Sequence, residues 1–181
     1  MDKKLQNFRE DYFPELEVES KGSNIVNGVA ASYYGVSNVG AALHRSKYEK
    51  GGDFPDFLLK LVLKACSKKF GQERFDIVVY VPPTSSGDLV KNFAIKVSQV
   101  LKLPISHNLV KCKNTKEQKT FENGYLKTDN VSCAFTFTTP NDIKGMSILL
   151  IYDVFDSGST VKEVGRLLTN FGAVKIAPIV I

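Results

Sequence analysis

The stretch Ile148–Thr160, ILLIYDVFDSGST, constrains the fold more than any other part of this chain. Its first four residues, Ile148 to Ile151, are apolar without interruption, which is the signature of a strand buried on both faces. Tyr152 and Asp153 follow, then the small-residue run Asp156, Ser157, Gly158, Ser159 and Thr160. Val161, Val164, Leu167, Leu168 and Phe171 then recur at helical spacing up to Gly172. The order is strand, hydroxyl-rich loop, helix.

Such a loop gathers backbone N–H groups, hydroxyls and the positive end of a helix at one point, an arrangement suited to phosphate. Thr160-x-x-Glu163 also spells a capping box, so the same residues read equally as an ordinary helix start. The acid at the strand tip favours a site.

A second unit of the same shape lies earlier. FDIVVYV, residues 75–81, is a buried strand broken by Pro82-Pro83, and Thr84, Ser85 and Ser86 lead through Gly87-Asp88 into a helix with Leu89, Phe93, Val97 and Val100 on one side. Before it, Asp53 and Pro55 open a helix that buries Phe57, Leu58, Leu61, Val62 and Ala65, turns Lys60, Lys64 and Lys68 to water, and stops at Gly71. ISHNLV after Pro104 reads as a further strand, and Val131, Cys133, Phe135 and Phe137 alternate as on a half-exposed one. The segment from Lys111 to Lys127 is lysine-rich and without periodicity, and it reads as a long loop able to close over phosphates. VKIAPIVI ends the chain as a strand.

Strands alternating with helices predict an α/β fold, a mostly parallel sheet with helices on both faces. In such sheets ligands bind at the carboxyl ends of the strands, so neighbouring strands would bring both polar loops into one crevice with Asp153 between them. A carboxylate repels phosphate; its place there is to accept hydrogen bonds from sugar hydroxyls or to hold a hydrated Mg2+.

Residues 1–50 are the least regular and read as an N-terminal arm followed by a small helical element, with residues 51–181 forming the main domain. His44, Arg45 and Lys47 in that element could contact phosphate, but a solvated basic turn is the favoured reading. The net charge of +5 is compatible with an anionic ligand or nucleic acid. Three scattered cysteines and two histidines form neither a zinc site nor a disulfide framework, and with no long apolar run or signal-like start they suggest a reduced, cytoplasmic setting. No GxxxxGK[ST] or GxGxxG occurs, and no nucleophilic triad or Cys–His pair is evident.

Residues 148–160 resemble the signature of the type I phosphoribosyltransferases, which bind 5-phosphoribosyl pyrophosphate. The resemblance implies a phosphoribosyltransferase-type fold, ribose hydroxyls bound at positions 152 and 153, and a 5′-phosphate wrapped by Asp156 to Thr160. It also implies a pyrophosphate loop at Pro82–Asp88 and Mg2+ arriving with the phosphorylated ligand. The stretch from Leu109 to Phe135 is similar to the flexible-loop region of the ComF-like branch, with Gln118, Asn130 and Ala134-Phe135 at matching places. Longer phrases, YGVSNVGAALHRSKYEKGGDFPDFL, YVPPTSSGDLVKNFA, ISHNLVK and FDSGST, resemble the phosphoribosyltransferase-like C-terminal region of bacterial RecQ-family ATP-dependent DNA helicases.

The first acid of the signature is Tyr152 here. A phenol is neutral at pH 7 and shares no cation with Asp153, and losing one of two charged acceptors would cost about 1–3 kcal/mol of binding. The leading expectation is therefore an accessory domain of a RecQ-family helicase that binds phosphate or a phosphorylated ribose compound, reaching DNA through the parent helicase. The alternatives are an active phosphoribosyltransferase and a DNA- or protein-interaction module with an empty pocket.

Overall fold

A computed structural model describes residues 12–19, 21–34, 37–49, 53–83, 87–112 and 134–181. Among these residues the chain forms β1 (Glu15–Leu16), β2 (Gly28–Ala30), α1 (Asn38–His44) continued by a π-helical turn (Arg45–Glu49), α2 (Asp56–Phe70), β3 (Ile77–Tyr80) and α3 (Leu89–Leu101). Then come β4 (Ile105–Ser106), β5 (Leu109–Lys111), β6 (Phe135–Phe137), a 3-10 turn (Pro140–Ile143), β7 (Ser147–Tyr152), α4 (Ser159–Asn170) and β8 (Lys175–Val180).

The central sheet has the order β1-β2-β8-β7-β3-β4 and is parallel except for β1 against β2. Side chains of β7 alternate between its two faces, so its apolar run feeds both sides at once. Leu149 and Ile151 pack with α2 and α3 residues such as Leu58, Val62, Val90 and Phe93, while Ile148 and Leu150 pack with Val161, Val164 and Leu168 of α4 and with the β5–β6 ribbon. All four β7 side chains are fully buried, each burial contributing about 1.5–3 kcal/mol. Helices cover both faces, as the alternation of elements predicts.

Pro178 sits inside β8, where it has no N–H to give. β8 is tolerant there because β2 pairs with it only at Val29 and Ala30, while Gly28 lies so close to the Pro178 carbonyl oxygen that a Cβ would collide with it.

Several local expectations change. ISHNLV is two strands: β4 completes the main sheet, and β5 turns away after His107-Asn108 to pair with β6. Phe57 and Val100, expected in the core, are exposed at the rims of their helices. The short strands β1 and β2 extend the sheet from within the segment read as an arm, so part of residues 1–50 is built into the same framework as the rest. The lysine-rich loop after Cys112, together with Val131 and Cys133, lies outside the described residues.

Candidate functional site

β3 and β7 are parallel neighbours, with Ile77 opposite Ile148 and Tyr80 opposite Ile151. From β3 the chain runs through α3 to β4 on one side; from β7 it runs through α4 to β8 on the other. The seam between them is thus the switch point of the sheet, and both polar loops leave it at the carboxyl edge. Of the expected site residues, Tyr152, Asp153, Asp156, Ser157, Gly158, Ser159 and Thr160 lie together here; Thr84, Ser85 and Ser86 fall outside the described residues.

The loop after β7 is shaped by Gly158, whose φ of +75° belongs to the left-handed region. A Cβ there would come within 2.9 Å of the Phe155 ring. Gly158 is the N-cap of α4 and has no side chain to cap it, so the capping box that Thr160 and Glu163 spell is not formed. The Ser157 hydroxyl accepts instead from the Ser159 N–H at 3.4 Å and shares a hydrogen bond of 2.9 Å with the Ser159 hydroxyl. Thr160 is buried and hydrogen-bonds Tyr152. The first turn of α4 carries no acid, so the positive end of its dipole meets no negative side chain of its own helix.

Asp153 is 6% exposed. Its Oδ1 accepts from the Val154 N–H at 2.9 Å, and its Oδ2 accepts from the Lys47 ammonium at 2.6 Å. The expectation of a solvated basic turn therefore fails at Lys47, whose side chain is only 11% exposed. The π-helical turn adds a residue to the repeat just where α1 ends, and Lys47 lies within it, directed at the sheet edge while His44, Arg45 and Glu49 face water. No sequence signal marks Lys47, since its partner lies 106 residues away. Lys111, at the end of β5, is a second cation under the influence of Asp153; burial pushes its pKa down and the carboxylate pulls it back up. Burial, with the Asp153 charge beside it, holds the Tyr152 phenol protonated well above its ordinary pKa, despite the hydrogen bond with Thr160.

On the β2–β8 side of Asp153 opens a cavity of about 280 Å³, bounded among others by Leu16, Ala30, Tyr33, Asp153, Phe155 and Ile181. Tyr12 stacks on Tyr33, one of its lining residues, with ring centroids 6.4 Å apart. Across the seam, Tyr80 at the tip of β3 hydrogen-bonds His107 at 3.2 Å.

A divalent cation would need several oxygen ligands. Among the described residues no cluster of three or more His, Cys, Asp or Glu side chains exists, Tyr152 is a neutral phenol, and Asp153 is already engaged by an ammonium. These residues do not fit a metal held by the protein itself.

Residues 58–181 match the family described as phosphoribosyl transferase domain, and the chain belongs to that family. Among solved structures it is similar to that of the allosteric regulatory enzyme of purine biosynthesis, with 18% identity, 63% of this chain and 23% of that chain covered and a TM-score of 0.44. It is similar to the glutamine phosphoribosylpyrophosphate amidotransferase from B. subtilis complexed with ADP and GMP, with 18% identity, 63% and 24% coverage and a TM-score of 0.44. A third is the purine phosphoribosyltransferase from Pyrococcus horikoshii Ot3, with 17% identity, 72% and 76% coverage and a TM-score of 0.46. The chain spans about a quarter of the length of the first two. No curated protein matches it. No helix among the described residues is long and apolar enough to cross a membrane.

Proposed function

We propose that this chain is a binding domain for a phosphorylated ribose compound of the 5-phosphoribosyl pyrophosphate class. The observation that carries the reading is the loop from Asp153 to Thr160: a buried carboxylate able to take sugar hydroxyls stands beside a helix N-terminus whose cap residue is a glycine and whose first turn holds no acid, both at the switch point of the sheet. In this reading Tyr152 and Asp153 face the ribose, Asp156 to Thr160 hold the 5′-phosphate, and Thr84, Ser85 and Ser86 meet further phosphate. The main domain comprises residues 51–181, and the segment before it contributes strands and Lys47 to its edge.

The finer reading is an accessory domain, in the cytoplasm, of a RecQ-family DNA helicase, with DNA reached through the parent protein. Its support is the long run of phrases shared with such regions, and Tyr152 in place of an acid favours binding over transfer.

Calorimetric titration with 5-phosphoribosyl pyrophosphate, ribose 5-phosphate and inorganic phosphate tests the binding, and a pyrophosphate-release assay with amines and nucleobases tests transfer. Binding of the two ribose phosphates, tighter than inorganic phosphate and without pyrophosphate release, is expected. Release on adding an acceptor would make the chain a transferase, and no preference for the ribose compounds would overturn the reading. The helicase role is tested by adding the chain to a RecQ motor and measuring unwinding with and without ligand. Unwinding that is unaffected in both conditions would remove that part.

A further inference from the structure

The Lys47–Asp153 pair is unusual in where it lies. An ammonium and a carboxylate, 11% and 8% exposed and 2.6 Å apart, are brought together from segments 106 residues distant. Taking two charges out of water is costly, and a well-packed apolar pair would serve stability as well or better. Such a pair is weakly explained by stability alone. It sits where the ligand would meet the sheet, and its lysine is delivered by a π-helical turn, a rare feature that frequently marks functional sites.

The charge of Asp153 is already matched. Asp153 contributes one negative charge, the neighbouring phenol of Tyr152 none, and Lys47 one positive charge. A divalent ion arriving at Asp153 would meet the Lys47 ammonium on one carboxylate oxygen and the Val154 N–H on the other, with Lys111 as a second cation nearby. It would be repelled, and it would find too few oxygens to replace its water.

We propose that Lys47 is the resident cation of this site: its ammonium neutralises and orients Asp153, so that the domain takes a phosphorylated ribose compound without a divalent metal. A carboxylate has about four lone-pair directions. With the Lys47 and Val154 donors on it, Asp153 still has acceptor capacity for sugar hydroxyls, and Lys47 lowers the repulsion between this carboxylate and the incoming phosphate. Lys47 is thereby a binding residue rather than part of a solvated turn.

The inference rests on the phosphorylated-ribose reading, and the experiment separates the two. Ribose 5-phosphate and 5-phosphoribosyl pyrophosphate are titrated calorimetrically into the wild-type chain in EDTA and in excess Mg2+. Lys47→Met and Lys47→Arg are treated in the same way, each with a thermal melt. The wild type should bind in EDTA, with affinity within about threefold of that in Mg2+. Lys47→Met should lose about tenfold or more in EDTA, because a charge-assisted hydrogen bond is removed, and should recover part of it in Mg2+. Lys47→Arg should keep metal-free binding. Binding by the wild type only in Mg2+ overturns the inference and leaves the ribose reading standing. So does Lys47→Met binding in EDTA as tightly as the wild type or more tightly, since Lys47 would then be idle or a plug. If the wild type binds neither compound in either condition, the ribose reading falls and the inference with it. The wild-type comparison needs no variant, so a Lys47→Met protein that fails to fold leaves the test intact.

Discussion

The two strand–loop–helix units that meet at the seam, residues 77–101 and 147–170, share a topology and differ in how the helix begins. At α4 the cap position is Gly158, the next residues are buried Ser159 and Thr160, and the first turn is free of acids. At α3 the cap position is Asp88, 72% exposed in its side chain and 3.6 Å from the Lys91 ammonium. The α3 end therefore places a negative charge at its cap, while α4 has none at its cap or in its first turn. The strand tips differ as well, though not in that sense. β7 delivers a buried carboxylate with its own ammonium, and β3 delivers a phenol bonded to His107. Equivalent topology thus yields one helix end with a glycine at its cap and one with an acid there.

The sharpest way to break that contrast is Asp153→Ala. It strands the Lys47 ammonium where little water reaches it, and breaking a buried pair from one side costs about 3–5 kcal/mol. Urea unfolding should show a loss of that order, largely restored in Lys47→Met/Asp153→Leu; a loss no larger than that of an exposed ion pair would mean that the pair is not buried in solution.

Next in size are the glycines before the two helices. Gly158→Ala and Gly87→Ala each place a Cβ at positive φ, which costs about 1–2 kcal/mol. Among the described residues only Gly158→Ala also meets a neighbour, the Phe155 ring at 2.9 Å, whereas Gly87 has nothing within 4 Å. Gly158→Ala should therefore melt lower than Gly87→Ala and also lose ribose 5-phosphate binding. Equal melting of the two variants would contradict the packing difference.

A pH series distinguishes the strand tips. Tyr152 and Tyr80 both have pKa values raised above the ordinary value near 10, chiefly by burial. Below that value both phenols are protonated in the folded and unfolded chain alike, and their contribution to stability is complete. Above it the unfolded chain releases its protons first, so stability falls as pH rises toward the folded values. The larger rise belongs to Tyr152, so Tyr152→Phe should flatten the alkaline decline in stability more than Tyr80→Phe. The reverse order, read from urea midpoints against pH, would place the drier phenol at β3.

The smallest effect is expected at the α3 cap. Asp88→Asn removes an exposed charge from the helix N-terminus, with an effect of about 0.3–1 kcal/mol on stability. It should raise the affinity for pyrophosphate slightly in calorimetry; a weaker affinity would give Asp88 a role in holding ligand.

The legible parts of this fold are those where one stretch of sequence carries its own period or punctuation. The β7 run, the helices over 56–70 and 89–101, and the loop-to-helix step after Asp156 are local statements, and each stands close to where the pattern put it, although Ser159 and Thr160 open the helix over 159–170 rather than close the loop. β1 and β2 are too short for a period to show, and the split of ISHNLV into two strands depends on which neighbour each half finds. Phe57 and Val100 carry the right residue type at the edge of a helical face, where spacing alone does not decide burial. Lys47 was beyond reach for a different reason. A lysine in a polar turn has no local mark of burial, and only the sheet, the π-helical turn and a carboxylate 106 residues away make it part of the site.

The central claim is that the loop after β7 receives a phosphorylated ribose compound at the N-terminus of α4. A titration of 15N-labelled protein with ribose 5-phosphate, followed by amide NMR, tests this most directly. The largest shifts are expected at Gly158, Ser159 and Thr160, smaller ones at Asp153 and Val154, and little change along the lysine face of α2. Saturating shifts on α2 with none at 158–160, or no shifts anywhere at millimolar ligand, would contradict it.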